Sequence, residues 1–173
     1  MDRKELAREI YNVSHITGTF KLRSGQISNQ YFDKYLFEAR PDLLAEIANH
    51  MVELIPPGTE VLAGLELGGV PIASALSLKT GLPAAFVRKK AKDYGTCKLA
   101  EGADVKNKIV CVIEDVVTTG GQIILSANDL RNLGAKVENV ICVIQRGSNS
   151  RETLAKESLY LRPLFTMEEL EPK

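Results

Sequence analysis

Two acidic residues followed by a Thr/Gly turn are the part of this sequence best suited to chemistry. Glu114 and Asp115 end an apolar run, and residues 118–121 read Thr-Thr-Gly-Gly before a helical pattern begins. Backbone N–H groups of such a turn, with the threonine hydroxyls and the dipole of the next helix, can bind a phosphate. Carboxylates beside a phosphate need neutral hydroxyl donors, which a ribose 5′-phosphate supplies. The segment predicts a ribose phosphate site, although a solvated strand end with a helix-capping turn has the same spacing.

A second segment combines a cation with aromatic side chains. It runs from Phe20 to Asp33 and contains Arg23 and the adjacent aromatic residues Tyr31 and Phe32. A cation, hydroxyls and aromatic rings suit a planar anionic pyrimidine that needs stacking and a partner for its carboxylate. A hairpin with a packed aromatic pair has the same composition, so both interpretations stay open on the residues alone.

A third segment is basic and lies directly after an apolar run. Its cations and the tyrosine that follows them are Arg88, Lys89, Lys90, Lys92 and Tyr94. The stretch 89–108 lacks apolar periodicity and is rich in Lys, Asp, Gly and Glu, which is typical of a long mobile loop. Such cations can bind an anion, but many charged runs are only a solvated surface.

Composition limits the class of protein. The 173 residues are 45% hydrophobic, enough for one core, so we expect a single domain over residues 1–173. Lys plus Arg and Asp plus Glu number 22 each, so no net charge attracts nucleic acid or a membrane. Without a signal-peptide pattern or a membrane-spanning run, we expect a cytoplasmic protein. Cys97, Cys111 and Cys142 lack metal-ligand spacing and are interpreted as reduced.

Apolar patterns predict the elements that position these residues. Helical periodicity covers Leu6 to Val13 behind a possible Asp2 cap, and Leu43 to Ile55 after Pro41. Four short apolar runs are typical of buried parallel strands: 61–65, 84–87, 109–113 and 140–144. Helical patterns over 71–80 and 121–133 lie between these runs. The alternation predicts an α/β fold with a parallel sheet, in which ligands bind beyond the carboxyl ends of strands.

The apolar run, the two acids and the Thr-Thr-Gly-Gly turn resemble the phosphoribosyl pyrophosphate signature of the type I phosphoribosyltransferases. The resemblance implies that Glu114 and Asp115 contact the ribose hydroxyls and that Thr118 to Gln122 contact the 5′-phosphate. The whole segment implied to bind this donor is Glu114, Asp115, Val116, Val117, Thr118, Thr119, Gly120, Gly121 and Gln122. As a residue at a strand end, Asp115 is expected to serve the ligand and not the core.

Other segments resemble the orotate phosphoribosyltransferases in particular. The segment from Phe20 to Asp33 is similar to their N-terminal motif, which purine members of the family lack. The resemblance implies that orotate contacts Arg23, Tyr31, Phe32, Thr118 and Arg146, with Arg146 pairing with the orotate carboxylate. Four motifs in family order cover the chain from Phe20 to about Arg146.

The same resemblance implies how pyrophosphate is bound. It assigns Arg88, Lys89 and Lys92 to pyrophosphate oxygens, with Lys92 and Asp115 as catalytic residues. Tyr94, also implied to contact the donor, stands where well-known bacterial members have His, which puts an acid/base role there in doubt. The turn containing Gly68 and Gly69 is similar to the family's pyrophosphate loop.

The resemblance implies a type I phosphoribosyltransferase fold with a small N-terminal hood and a mobile basic loop. It also implies transfer of the phosphoribosyl group to orotate, with Mg²⁺ held mainly by substrate oxygens and Asp115 as the candidate protein ligand. A homodimer with shared active sites is expected. The alternatives are transfer to another base, a nucleotide-binding regulator of gene expression, and a simple α/β nucleotide-binding module.

Overall fold

The computed structural model of the chain describes residues 1–22, 24–90 and 98–171. The predicted site residues Arg23, Lys92 and Tyr94, and also Cys97, lie outside these ranges. The described residues form one two-stranded sheet and one six-stranded sheet with helices around them.

The elements alternate as the apolar patterns predict. The helices are α1 Arg3–Ser14, α2 Lys34–Glu38, α3 Pro41–Met51, α4 Gly69–Thr80, α5 Gly121–Asn132, α6 Ser150–Ala155 and α7 Met167–Leu170. The strands are β1 His15–Lys21, β2 Ile27–Phe32, β3 Val61–Leu65, β4 Ala84–Val87, β5 Ala100–Gly102, β6 Ile109–Val117, β7 Lys136–Gln145 and β8 Tyr160–Thr166. The large sheet has the order β5-β4-β3-β6-β7-β8.

The sheet is parallel except at one edge. β3 pairs in parallel with β4 and β6, and β7 pairs in parallel with β6 and β8, whereas β5 is antiparallel to β4. Both faces of the central strands are buried, as the continuous apolar runs predict. Val112 and Ile113 of β6 and Ile141 of β7 have no exposed surface. The predicted α/β class with a parallel sheet is therefore confirmed.

The two helices predicted from their periodicity are also confirmed. Asp2 caps α1 by accepting hydrogen bonds from the N–H groups of Lys4 and Glu5, and Pro41 is the first residue of α3. α3 ends at Met51, and a short 3₁₀ turn replaces the last predicted helical residues. No helix in the described ranges is long and apolar enough to cross a membrane. Cys111 and Cys142 are free and buried.

Two further predicted boundaries differ from the structure near the carboxyl ends of β4 and β6. β6 does not stop at Ile113: its ladder with β7 continues as far as Val117, which pairs with Gln145. Glu114 and Asp115 are therefore strand residues. Part of the expected loop 89–108 is also ordered, because Ala100 and Gly102 pair with β4 as a short edge strand. So short an edge strand leaves no apolar period to detect.

Candidate active site

Two adjoining pockets lie beyond the carboxyl end of the sheet. The strand-end pocket encloses about 280 Å³ and is lined by Lys34, Glu66, Lys89 and residues 114–123. The hairpin pocket encloses about 360 Å³ and is lined by Tyr31, Phe32, Asp33, Lys34, Tyr35, Val116, Thr118 and Arg146. Lys34, Val116 and Thr118 line both pockets, so a ligand in one would lie next to a ligand in the other.

The Thr/Gly turn forms one wall of the strand-end pocket. Gly120 has a φ of 86°, which glycine adopts without strain, and from it the chain enters α5. No described side chain caps this helix. Thr118, Thr119 and Gln122 are exposed, and the N–H of Gly121 lies 3.5 Å from Thr119 Oγ1. A helix N-terminus with available N–H groups and hydroxyls beside it suits a phosphate.

Asp115 forms the floor of the same pocket. Its carboxylate has no exposed surface, which corrects the expectation that it serves only a ligand: it is part of the folded interior. Oδ1 accepts a hydrogen bond from the N–H of Val116 at 2.5 Å, and Oδ2 lies 2.5 Å from Lys34 Nζ. Glu114 is only partly exposed, and its Oε1 accepts from the N–H of Asp115 at 3.1 Å.

Burial and close contact set different charges on these two acids. Burial, and then contact with Asp115, raises the pKa of Glu114 well above its ordinary value. Burial acts on Asp115 in the same direction, but the hydrogen bonds with Glu114 and Lys34 outweigh it and lower its pKa. Burial lowers the pKa of Lys34, but the contact with Asp115 reverses this and raises it. The shifts have opposite directions, so Asp115 holds its negative charge, paired with the cationic Lys34, more readily than Glu114 does.

The turn between β3 and α4 packs directly against β6. A Cβ on Gly68 would collide with the Asp115 carboxylate, and a Cβ on Gly69 would collide with the backbone oxygen of Ile113. This packing alone requires glycine at both positions. Neither glycine lines the strand-end pocket, so the pyrophosphate contacts predicted for them stay a prediction. Glu66 does line it, and its Oε2 accepts from the N–H of Lys89 at 3.0 Å.

Arg88 and Lys89, which follow β4, differ in their exposure and in their position relative to the strand-end pocket. Lys89 is exposed and lines the strand-end pocket. Arg88 is partly buried, and its backbone N–H donates to the Leu99 carbonyl at 2.9 Å. Its side-chain Nε has no hydrogen-bond partner among the described residues. Of the three predicted pyrophosphate cations, Lys89 therefore lines the pocket, Arg88 does not, and Lys92 lies outside the described residues.

The adjacent aromatic residues of β2 face opposite ways, as consecutive strand residues must. Phe32 is 9% exposed and packs in the core, whereas Tyr31 is 44% exposed. The Tyr31 ring lies 5.5 Å from the Phe20 ring across the hairpin, so the packed-pair interpretation describes part of the segment. Both residues still line the hairpin pocket, with Phe32 contributing from the core side and Tyr31 from the solvent side.

Arg146 lies on the far wall of the hairpin pocket, just after β7. Its backbone N–H donates to the Val117 carbonyl at 2.8 Å, which ties it to the end of β6. The loop is held by the Gly147 carbonyl, which accepts from Gln145 Nε2 at 3.1 Å and from Ser150 Oγ at 2.7 Å. The Arg146 side chain is exposed, and none of the described carboxylates forms an ion pair with it. It is therefore free to pair with a ligand carboxylate.

Sequence reasoning missed Lys34, Glu38 and Glu66. Lys34 and Glu38 are the first and last residues of α2, directly after the Asp33 cap that ends the aromatic segment. Their spacing of four could have indicated one helix face, but a five-residue helix gives too little periodicity to detect. Glu66 lies in a Gly-rich turn, and the sequence interpretation of that turn considered only its glycines.

The donor set of the strand-end pocket is compatible with Mg²⁺ but does not enclose it. Among the described residues, no group of three or more His, Cys, Asp or Glu side chains is arranged to hold a metal ion. Glu114 and Asp115 nevertheless offer hard oxygen ligands of the type that Mg²⁺ prefers. A Mg²⁺ in this pocket would therefore take most of its ligands from a substrate and from water.

Comparisons with known proteins agree with this architecture. A family described as the phosphoribosyl transferase domain matches residues 34–162. An orotate phosphoribosyltransferase of a Nocardioides species is 54% identical over 166 residues, which cover 96% of this chain and 93% of that protein.

Solved structures show the same likeness. The orotate phosphoribosyltransferase of Mycobacterium tuberculosis H37Rv in complex with Fe(III) dicitrate has a TM-score of 0.89 and 31% identity, covering 99% of this chain and 100% of its own. The same protein in complex with 5-phospho-α-D-ribosyl 1-diphosphate has a TM-score of 0.84 and 29% identity, covering 98% of this chain and 99% of its own.

Proposed function

Because this chain belongs to the phosphoribosyl transferase family and, within it, to the orotate phosphoribosyltransferases, we propose that it joins orotate to the ribose of phosphoribosyl pyrophosphate. The products are orotidine 5′-phosphate and pyrophosphate, and the reaction is a step in making pyrimidine nucleotides. The observation that carries the proposal is the pair of adjoining pockets, one suited to a ribose phosphate and the other to an anionic aromatic base.

The donor occupies the strand-end pocket. Its 5′-phosphate accepts hydrogen bonds from the N–H groups and hydroxyls of the Thr118 to Gln122 turn. Its ribose hydroxyls donate to the carboxyl oxygens of Asp115 and of the neighbouring Glu114. Its pyrophosphate extends towards Lys89, and Arg88, Lys92 and Tyr94 complete that end of the site.

Orotate occupies the hairpin pocket. The exposed Tyr31 ring lies along one side of the base, Phe32 supports it from the core, and Arg146 pairs with its carboxylate. Thr118 lies between base and donor, and Arg23 adds a second cation. A base without a carboxylate would leave Arg146 unpaired, so the pocket favours orotate over uracil.

The protein's main task in the transfer is to neutralise the leaving group. As the bond from C1 of ribose to pyrophosphate breaks, positive charge grows on the sugar and negative charge on pyrophosphate. Arg88, Lys89 and Lys92 stabilise that negative charge, each by about 2.7–4 kcal/mol if they act like single oxyanion donors. Asp115 would be the protein contact for a Mg²⁺ bound mainly through substrate oxygens, and that ion would supply further Lewis-acid neutralisation. Arg146 and Tyr31 meanwhile hold the ring nitrogen of orotate towards C1.

The chain is further proposed to work as a homodimer in the cytoplasm. The donor is a multiply charged phosphate ester that does not cross membranes, so the enzyme must act where the donor is made. In the dimer, Lys92 of one subunit completes the site of the other. Mixing Lys92→Ala chains with Asp115→Asn chains should then restore activity, since hybrid dimers contain one intact site. No recovery after proven subunit exchange would contradict the sharing.

The assay that tests the proposed function follows the loss of orotate absorbance after phosphoribosyl pyrophosphate and Mg²⁺ are added. Orotidine 5′-phosphate and pyrophosphate should appear in equal amounts, and chelation of Mg²⁺ should stop the reaction. Uracil and adenine serve as control bases and should react far more slowly. Turnover of adenine but not of orotate would show that the chain serves a different base.

A further inference from the structure

Lys34 is a charged residue that lines both pockets. It lies beside Asp115 in the strand-end pocket and beside Tyr35 in the hairpin pocket. It is the first residue of α2, and its side chain is 33% exposed. A lysine side chain has a flexible four-carbon stem, so its ammonium can take more than one position from a fixed helix. Lys34 can therefore serve either pocket without movement of the backbone.

The Lys34 ammonium lies against the carboxylate that is assigned to the ribose. Lys34 Nζ is 2.5 Å from Asp115 Oδ2. Oδ1 of the same carboxylate accepts a hydrogen bond from the N–H of Val116, whereas Oδ2 has no donor in hydrogen-bond geometry among the described residues. Lys34 therefore gives Oδ2 a compensating charge but no directional hydrogen bond. A ribose hydroxyl can supply that hydrogen bond, so Oδ2 is the oxygen with the most to gain from the donor.

A ligand approaches Asp115 Oδ2 from the side that Lys34 occupies. Asp115 is fully buried. Gly68 packs against the same oxygen, because a Cβ there would collide with it, and Gly68 lines neither pocket. The Gly68 backbone is fixed between β3 and α4, whereas Lys34 is a partly exposed side chain on a flexible stem. A ribose hydroxyl that donates to Oδ2 must therefore displace the Lys34 ammonium.

The hairpin pocket offers the displaced ammonium a second position. Lys34 Nζ already lies 5.2 Å from the centre of the Tyr35 ring, within the range of a cation–π contact. Tyr35 lines the hairpin pocket together with Arg146. Loss of the contact with Asp115 therefore leaves the ammonium beside the pocket that is proposed to bind the anionic base. There it adds a second positive charge to that of Arg146.

We propose that Lys34 couples the two pockets: the ribose of the donor displaces its ammonium from Asp115, and the freed ammonium binds orotate. This inference rests on the proposed function, because it assigns the ribose to Asp115 and orotate to the hairpin pocket. While Lys34 is paired with Asp115, the two opposite charges largely cancel and attract the base weakly. Once ribose hydroxyls have replaced Lys34, its charge is available to orotate. Each ligand therefore strengthens the binding of the other, as linkage requires.

Calorimetry with ribose 5-phosphate and orotate tests this coupling. Ribose 5-phosphate carries the hydroxyls and the 5′-phosphate of the donor but no pyrophosphate, so no transfer takes place and no Mg²⁺ is needed. The orotate Kd is measured with and without saturating ribose 5-phosphate, and the ratio of the two values reports the coupling. A substitution that only weakens the fold or one pocket changes both Kd values and leaves their ratio unchanged.

Two substitutions of Lys34 are compared with one control. Lys34→Met keeps the length of the side chain and removes its charge, whereas Lys34→Arg keeps a cation. Lys108→Met is the control, because Lys108 pairs with Glu60 at 2.9 Å on the exposed surface and lines neither pocket. Ribose 5-phosphate should tighten orotate binding to the wild type by about tenfold, within the usual range for coupled sites. Lys34→Arg and Lys108→Met should retain most of this ratio, and Lys34→Met should bring it close to one.

The outcomes separate the inference from the function on which it rests. A wild type that turns over orotate but shows no coupling, or a Lys34→Met chain that keeps the wild-type ratio, sinks the inference and leaves the function standing. A wild type without orotate turnover overturns the function, whatever the ratio. Should Lys34→Met fail to fold, a crystal structure of the wild type with ribose 5-phosphate decides. Lys34 Nζ must then lie beyond about 4 Å from Asp115 Oδ2, the limit of an ion pair, and an intact pair beside the bound ribose would contradict the proposal.

Discussion

The two pockets are built in different ways. The strand-end pocket is largely one continuous segment, residues 114–123, in which strand, turn and helix follow one another. The hairpin pocket combines the end of β2, the start of α2, the end of β6 and Arg146 beyond β7. The first pocket can be recognised from adjacent residues alone, whereas the second exists only once the chain has folded.

This difference predicts how the pockets respond to substitution. Residues of the continuous segment are fixed by the local geometry of a strand end and a helix start. Residues of the assembled pocket depend on contacts between distant segments, such as the hydrogen bond from the Arg146 N–H to Val117. Damage to one pocket should therefore affect one substrate more than the other, except at Lys34, Val116 and Thr118, which line both pockets.

Arg146→Ala should have the largest effect on a single substrate. It leaves the orotate carboxylate without its partner, which costs roughly 2–5 kcal/mol of apparent orotate binding if the bound ligands bury the pair. Donor binding, measured by calorimetry with Mg²⁺, should change little. Arg162→Ala, on β8 and outside both pockets, is the control. Equal damage to both substrates would show that Arg146 supports the fold and does not select the base.

Asp115→Asn should lower kcat/KM for the donor by about 10²–10³-fold, as losing one preorganised charged contact does. The orotate pocket should be affected less. Because Asp115 is buried and paired with Lys34, the substitution should also lower the free energy of unfolding, by about 1–3 kcal/mol. Circular dichroism and urea unfolding measure this second effect. Near wild-type turnover would remove Asp115 from the ribose site.

The buried Glu38 carboxyl gives this region a pH-dependent stability. The carboxyl faces Asp33, Lys34 and Asp115, and its pKa rises from 4.5 to about 9 on folding. The contribution of this carboxyl to the free energy of unfolding is complete below pH 4.5. It is lost as the pH rises to about 9, by up to about 1.4 kcal/mol per pH unit. Glu38→Gln has no such proton, so it should gain stability relative to the wild type between about pH 6 and pH 8. A difference that does not vary with pH would show that Glu38 is ionised.

The aromatic pair of the hairpin pocket should show the smallest functional effect. Tyr31→Ala removes a half-exposed ring, so it should weaken orotate by about 0.5–1.5 kcal/mol with little loss of stability. Phe32→Ala should instead destabilise the fold, because that ring packs in the core. Orotate KM and thermal unfolding separate the two roles. Loss of stability with Tyr31→Ala would mean that its pairing with Phe20 is structural.

The sequence alone predicted those parts of the structure that depend on residues close together in the chain. The strands of the sheet centre were predicted because burial on both faces leaves continuous apolar runs, and the phosphate turn was predicted because its groups are consecutive. The family resemblance added Tyr31 and Arg146, which no local pattern joins. The structure places both in one pocket.

What could not be predicted depends on contacts between segments. The contact of Lys34 with Asp115 depends on how α2 packs against the sheet, and no periodicity in five residues indicates that packing. The opposite directions of Tyr31 and Phe32 follow from the strand, which the sequence offered only as part of one of two interpretations. The burial of Asp115 follows from the extension of β6 along β7.

The central claim is that one chain carries a donor site and a base site that meet but can be damaged separately. The most direct test measures the KM of phosphoribosyl pyrophosphate and of orotate in Arg146→Ala and Asp115→Asn side by side. The account predicts a crossed result, in which Arg146→Ala raises mainly the orotate KM and Asp115→Asn raises mainly the donor KM. If each substitution raises both values by the same factor, the two pockets are not separate sites and the account is contradicted.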